Sequence, residues 1–172
     1  MARAEKTGKL FEEEIESKIK ETLNCDKIEY KDVISYNGTY PVLVTNVPYH
    51  HPYEEFLDDD TKRRFCKTEF GLYDETKKCK IRIECKYQNT TGSTDNKLAY
   101  LYEVASTWKE DHSIIVVGGK NAKSNVNYKA LDAKIKNKDT KLKYIKHDNN
   151  IQLFNNNITG FTNYIKNVFD IS

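Results

Sequence analysis

Apolar residues recur at three- and four-residue intervals among charged ones over residues 3–23. Leu10, Phe11, Ile15, Ile19 and Leu23 form the stripe, and this spacing predicts an amphipathic helix. The period then drops to two. Residues 27–36 and 40–47 read as strands around Asn37-Gly38, a dipeptide suited to a tight hairpin turn. Pro41, Pro48 and Pro52 interrupt the pattern, so about 48–62 is expected to be an irregular insertion with a short helix near Tyr53–Leu57. Two further alternating runs, 64–73 and 79–87, are joined by Asp74-Glu75-Thr76-Lys77-Lys78 and predict a second hairpin. A polar loop from Asn89 to Thr94 follows. Thr94 or Asp95 offers an N-cap for a helix through about Lys109, with Leu98, Leu101, Tyr102, Ala105 and Trp108 on its apolar face. His112 to Val117 is a short apolar strand ended by Gly118-Gly119. Residues 125–137 read as a weaker helix, 141–146 and 151–154 as a hairpin across Asp148-Asn149-Asn150, and Thr162–Phe169 as a final helix.

These elements imply a mixed sheet. Hairpins pair antiparallel, whereas the strand–helix–strand segment 79–117 makes a right-handed parallel crossover. The expected class is α/β, with helices on the faces of a central mixed β-sheet. The length of 172 residues predicts one domain spanning 1–172, with the insertion at 48–62 and a basic C-terminal part, 120–172.

Charge changes the picture locally rather than globally. The net charge is only +2, yet Lys120 to His147 carries nine Lys against two Asp, and Glu54 to Asp60 holds five acids and no base. A basic stretch of this kind either forms a solvated surface or meets nucleic acid. The four cysteines, Cys25, Cys66, Cys79 and Cys85, lack the spacing of a zinc site, and the last three lie in strand-like runs that suit small core residues. His50-His51 beside the acidic cluster reads as a solvated loop, because neighbouring histidines on an extended chain point apart. No stretch is long and apolar enough for a signal peptide or a membrane span, so a cytoplasmic protein with reduced thiols and no membrane partner is expected.

The tripeptide acid-x-Lys occurs at Glu16, Glu29, Asp60, Glu75, Glu84, Asp95, Asp132 and Asp139, so by itself it carries no information in so Lys-rich a chain. Only Glu84-Cys85-Lys86 ends an alternating run whose partner strand carries an acid; Glu29-Tyr30-Lys31 also lies in a strand-like run, but the acids upstream of it lie on a helix. Alternation puts Ile81, Ile83 and Cys85 on the core face and Arg82, Glu84 and Lys86 on the other. On the preceding strand, Phe70 and Leu72 face the core and Glu69 shares the side of Glu84. Two carboxylates about 4 Å apart repel by roughly 4 kcal/mol at an effective dielectric of 20. A hard divalent cation resolves that conflict, and it can polarise a phosphate and acidify a bound water. A neighbouring Lys can orient that water or take its proton. The same side chains would equally make a cross-strand surface salt bridge.

Glu69 on the first hairpin strand, followed by Ile81-Arg82-Ile83-Glu84-Cys85-Lys86 on the second, resembles the PD-(D/E)XK nuclease superfamily, the restriction-endonuclease-like fold. Gln88 fits the polar residue that often follows the Lys, 88–98 resembles a loop-to-helix segment of such nucleases, and Gly8-Lys9-Leu10-Phe11-Glu12 resembles the first helix that supplies an acid to the site. The similarity covers 8–118. It departs from the family pattern in having Glu69, after Thr68, where Asp, often after Pro, is usual. The resemblance implies a metal-dependent DNA endonuclease, restriction-type or phage/viral, using Mg2+ or Mn2+. Glu69, Glu84 and the carbonyl of Cys85 would hold the metal, and Lys86 would position water, with Gln88 and Glu12 secondary. Lys120, Lys123, Lys129 and Lys134 would contact DNA phosphates, and a homodimer would allow both strands to be cut. A Holliday-junction or repair nuclease of the same fold, a non-catalytic nucleic-acid-binding module and an α/β interaction protein remain alternatives.

Overall fold

The computed structural model describes residues 2–24, 42–48, 67–74, 79–89, 98, 101–106, 108, 110–120, 126–137 and 150–172. Helix α1 (Ala2–Leu23) leads into a five-stranded sheet made of β1 (Val42–Pro48), β2 (Lys67–Asp74), β3 (Cys79–Tyr87), β4 (His112–Gly118) and β5 (Asn150–Asn155). Residues 98 and 101–105 are helical (α2), and α3 (Val126–Asn137) and α4 (Ile158–Phe169) complete the chain. The strands lie in sequence order. β1–β2 and β2–β3 are antiparallel, and β3–β4 and β4–β5 are parallel, so the α/β sheet is mixed, as expected.

Each face of the sheet has its own core. Phe11, Ile15, Ile19 and Leu23 form one stripe of α1 that packs with α4 over Phe70, Leu72, Ile81, Ile83, Cys85, Ile114 and Val116. Leu10, expected in that stripe, is 55% exposed, because it lies one position away from Phe11 and so about 100° around the helix. The opposite face buries Leu98, Leu101, Tyr102, Ala105 and Trp108 of the α2 region, with Leu131 of α3, over Ile115 and Val117. β4 is covered on both sides. This explains why His112–Gly118 is nearly continuous in apolar residues while β3 alternates.

Element ends depart from the sequence expectation where local side chains intervene. The helical residues of α2 stop at 105 rather than near 109. Ser106 Oγ donates to Glu103 O at 2.8 Å, and the chain turns so that Trp108 is buried beneath the sheet. α4 begins at Ile158 rather than Thr162. Asn157 is its N-cap, and its side chain accepts from Gly160 N at 3.0 Å. β5 starts at Asn150, placed in a turn by the sequence pattern, and pairs in parallel with β4. The expected strands 27–36 and 141–146 and most of the 48–62 insertion lie outside the described residues.

Arg82 shares its face of β3 with Glu84 and Lys86 but is only 1% exposed. Its guanidinium donates to Glu110 at 2.6 Å and lies 5.2 Å from the ring centroid of Trp108. Removing one member of a buried ion pair leaves the other's charge in a dry site. Glu110→Ala is therefore expected to destabilise the fold by about 3–5 kcal/mol, measured by denaturant unfolding. A loss below about 1 kcal/mol would show that the pair is solvated.

Candidate active site

The antiparallel ladder between β2 and β3 runs from Asp74↔Cys79 to Phe70↔Ile83, while β2 stays paired to β1 as far as Lys67. β2 and β3 thus part company at Glu69 and Glu84. In the gap, the Glu69 carboxylate accepts the Cys85 backbone N–H at 3.2 Å. The sheet's own polar groups therefore draw Glu69 toward the end of β3.

Lys86 completes the cluster. Its ammonium donates to Glu69 Oε1 at 3.2 Å, to Cys85 O at 3.0 Å and to Glu84 Oε1 in a short contact. All three side chains are largely covered, with 15% of Lys86, 13% of Glu84 and 21% of Glu69 exposed. Burial first, and then the Glu84 charge, push the Glu69 carboxyl up to about 8 although Lys86 pulls it down. Burial opposes the Lys86 charge, but Glu84 and Glu69 more than offset it and hold the amine above its ordinary range. Glu12 on α1 also lies within electrostatic reach. Burial raises its pKa first, Lys86 lowers it and Glu84 raises it.

The other expected site residues are dispersed. Gln88 is buried at the end of β3, and its backbone N–H donates to Gly118 O at 2.8 Å. The Cys85 thiol faces the α1 core, where burial raises its pKa, so only its carbonyl belongs to the cluster. Lys120 is exposed just past β4. Lys129 is exposed on α3, and Lys134 of the same helix pairs with Glu103 at 2.8 Å. Lys123 lies outside the described residues. A cleft of about 390 Å³ borders the carboxyl ends of the parallel strands, lined by Phe11, Tyr87, Lys120 and Asn156 among others. The supporting residues that the sequence pattern did not single out, Glu110 and Asn156, act through contacts formed only in the folded chain.

The mixed sheet's central hairpin thus opens to bring Glu69, Glu84 and Lys86 together at one end. A family model described as a PD-(D/E)XK nuclease superfamily domain matches residues 3–158, and the chain belongs to that superfamily. No curated protein and no solved structure matches the chain significantly. Membership makes this a nuclease domain with nucleic acid as its substrate, in a superfamily that generally uses divalent metals.

Among the described residues no cluster of three or more His, Cys, Asp or Glu forms a metal site by itself. The donor set nevertheless fits a hard cation. Three oxygens, from Glu69, Glu84 and the Cys85 carbonyl, already converge on one cationic atom, the Lys86 ammonium. Two acids face one amine, and burial first, then the Glu84 charge, raises the Glu69 pKa.

The sign of the resulting pH dependence follows from linkage. A carboxyl whose folded pKa lies near 8 rather than 4.5 binds a proton in the folded chain that the unfolded chain has lost, so its contribution to stability falls as pH rises from about 4.5 to 8. Glu69→Gln is therefore expected to raise the metal-free melting temperature at pH 8 and to leave it nearly unchanged at pH 5. Thermal melts in chelator at both pH values check this, and the same shift at both would locate the strain elsewhere.

Proposed function

We propose that this protein is a Mg2+- or Mn2+-dependent DNA endonuclease, restriction-type or phage/viral in kind, comprising one nuclease domain over residues 1–172. The carrying observation is the convergence of Glu69, Glu84 and Cys85 O on the Lys86 ammonium at the open end of the β2–β3 hairpin. Glu69, Glu84 and the Cys85 carbonyl would hold the divalent ion, which when bound polarises the scissile phosphate and acidifies water.

The chain's own groups supply the rest. Lys86, kept charged by its two acidic neighbours, donates to the attacking water or to a non-bridging phosphate oxygen, which aligns the nucleophile and offsets the charge that builds on phosphorus. Attack by water forms one P–O bond as the bond to the leaving sugar oxygen breaks; the water releases a proton to solvent, and the leaving oxygen takes one up from solvent. Glu12 adds negative charge on the α1 side and holds the cationic groups in the gap. Gln88 anchors the segment after Lys86 through its backbone bond to Gly118. Lys120 and Lys129 offer exposed ammonium groups to the phosphate backbone, with Lys123 and Lys134 in the same basic stretch. Two copies of the site in a homodimer would cut both strands of a duplex.

Incubation with supercoiled plasmid should give nicked or linear product with Mg2+ and none in chelator. Lys86→Ala and Glu84→Ala should lower the rate by at least about 100-fold, while Lys86→Ala binds DNA nearly as well as the parent in a gel-shift assay. Full cleavage by Lys86→Ala would remove Lys86 from the chemistry.

A further inference from the structure

Beyond the carboxyl ends of β3, β4 and β5, three chain exits are tied to one another. Asn156 sits in the left-handed region at φ 48°. Its amide makes a two-way pair with the backbone of Gly119, with Oδ1 accepting from Gly119 N at 3.0 Å and Nδ2 donating to Gly119 O at 2.9 Å. The Asn156 backbone N–H donates to Val117 O at 2.9 Å, so the residue is fastened to β4 from both its main chain and its side chain. Gly119 in turn presses on the end of β3. Its φ is +109°, and a Cβ there would lie 2.2 Å from the Gln88 carbonyl oxygen. Only glycine allows that approach. Two more bonds close the network: Gln88 N donates to Gly118 O at 2.8 Å, and Lys120 N donates to Asn89 Oδ1 at 3.2 Å.

Lys86 lies two residues before Gln88, in the final stretch of β3. On its β2 side the ladder has already ended at Phe70↔Ile83, so β2 gives this stretch no backbone pairing. Its remaining backbone support is the parallel ladder to β4, through Tyr87↔Gly118, and the Gln88–Gly119 contact beyond it. A hinge at Gly118-Gly119 would release the Tyr87↔Gly118 pair and the Gln88–Gly119 contact, the two ties beyond Lys86↔Val117. The Asn156 amide binds both backbone polar groups of Gly119.

We propose that Asn156 is a positioning residue for Lys86. By clamping Gly119 against Gln88 it fixes the end of β3 from which the ammonium reaches Glu69 and Glu84. The Asn run at 155–157 and the diglycine at 118–119 are then two halves of one device. The catalytic consequence rests on the nuclease reading above, while the mechanical consequence does not.

Three variants separate the clasp from the backbone conformation. Asn156→Gly keeps the left-handed φ and removes both bonds to Gly119. Asn156→Asp keeps the acceptor and loses the donor. Asn156→Ala loses both bonds and strains the backbone. With Mg2+ and plasmid DNA, kcat of Asn156→Gly should fall by about 10- to 100-fold, as expected for a displacement near 1 Å, with Asn156→Asp in between. KM for DNA should stay within about twofold and the protein should remain fully folded at the assay temperature. Amide hydrogen exchange gives the independent readout. In Asn156→Gly the Gln88 and Gly119 amides should exchange faster, while Ile83 and Ile114 amides do not change. A kcat within about twofold of the parent, a fall matched by lost folded protein, or unaltered Gln88 exchange would each overturn the proposal. A parent that never cuts DNA would instead sink the nuclease reading, and exchange at Gln88 would still decide whether the clasp holds β3.

Discussion

Two carboxylates and one ammonium, largely withdrawn from water at the point where β2 leaves β3, are the constraint on which this structure turns. Glu69 and Glu84 both contact Lys86, and burial together with their mutual repulsion drives Glu69 toward its protonated form. A site designed only for stability would match charges one to one. The excess of acid is tolerated because Glu69 also accepts the Cys85 N–H on the side where the β2–β3 ladder has ended. The opening of the hairpin and the acid–amine cluster are therefore one feature: the strands separate, and a side chain replaces the missing backbone acceptor.

The same strand shows how packing assigns different tasks to similar residues. Arg82, Glu84 and Lys86 project from one face of β3 at two-residue intervals. Arg82 lies under Trp108 and pairs with Glu110, which closes it off. Two and four residues further along, Glu84 and Lys86 keep partial access to solvent. The Arg82–Glu110 pair is enclosed, whereas the Lys86–Glu84 pair stays partly exposed. The difference is set by how far α2 and the turn after it extend across the sheet.

The parallel half of the sheet supplies the rigidity. β4 is buried on both faces between two separate cores, and it carries β3 on one side and β5 on the other. The loops that leave these strands converge on Gly119, where the backbone of one exit, the carbonyl of a second and the amide of a third meet. The end of β3 thus lies beside a strand that is buried from Ser113 to Gly118.

Much of this was written in local order. The α1 stripe, the alternation of β3, the apolar run of β4 and the presence of Glu69, Glu84 and Lys86 on one side of a hairpin all follow from periods of 3.6 and 2.0, which depend only on backbone geometry. The acid-x-Lys tripeptide was ambiguous among eight places and became informative only when tied to a partner strand. Tertiary structure decided the rest. It ended α2 at 105, exposed Leu10, buried Arg82 against Glu110, paired β5 in parallel with β4 and seated the Asn156 amide on Gly119. The physical reason is that periodicity reports which face of an element turns inward, whereas burial of a charge or a bond between distant loops depends on which neighbour covers that face, and residues 28 or 37 positions apart carry no local mark of their meeting.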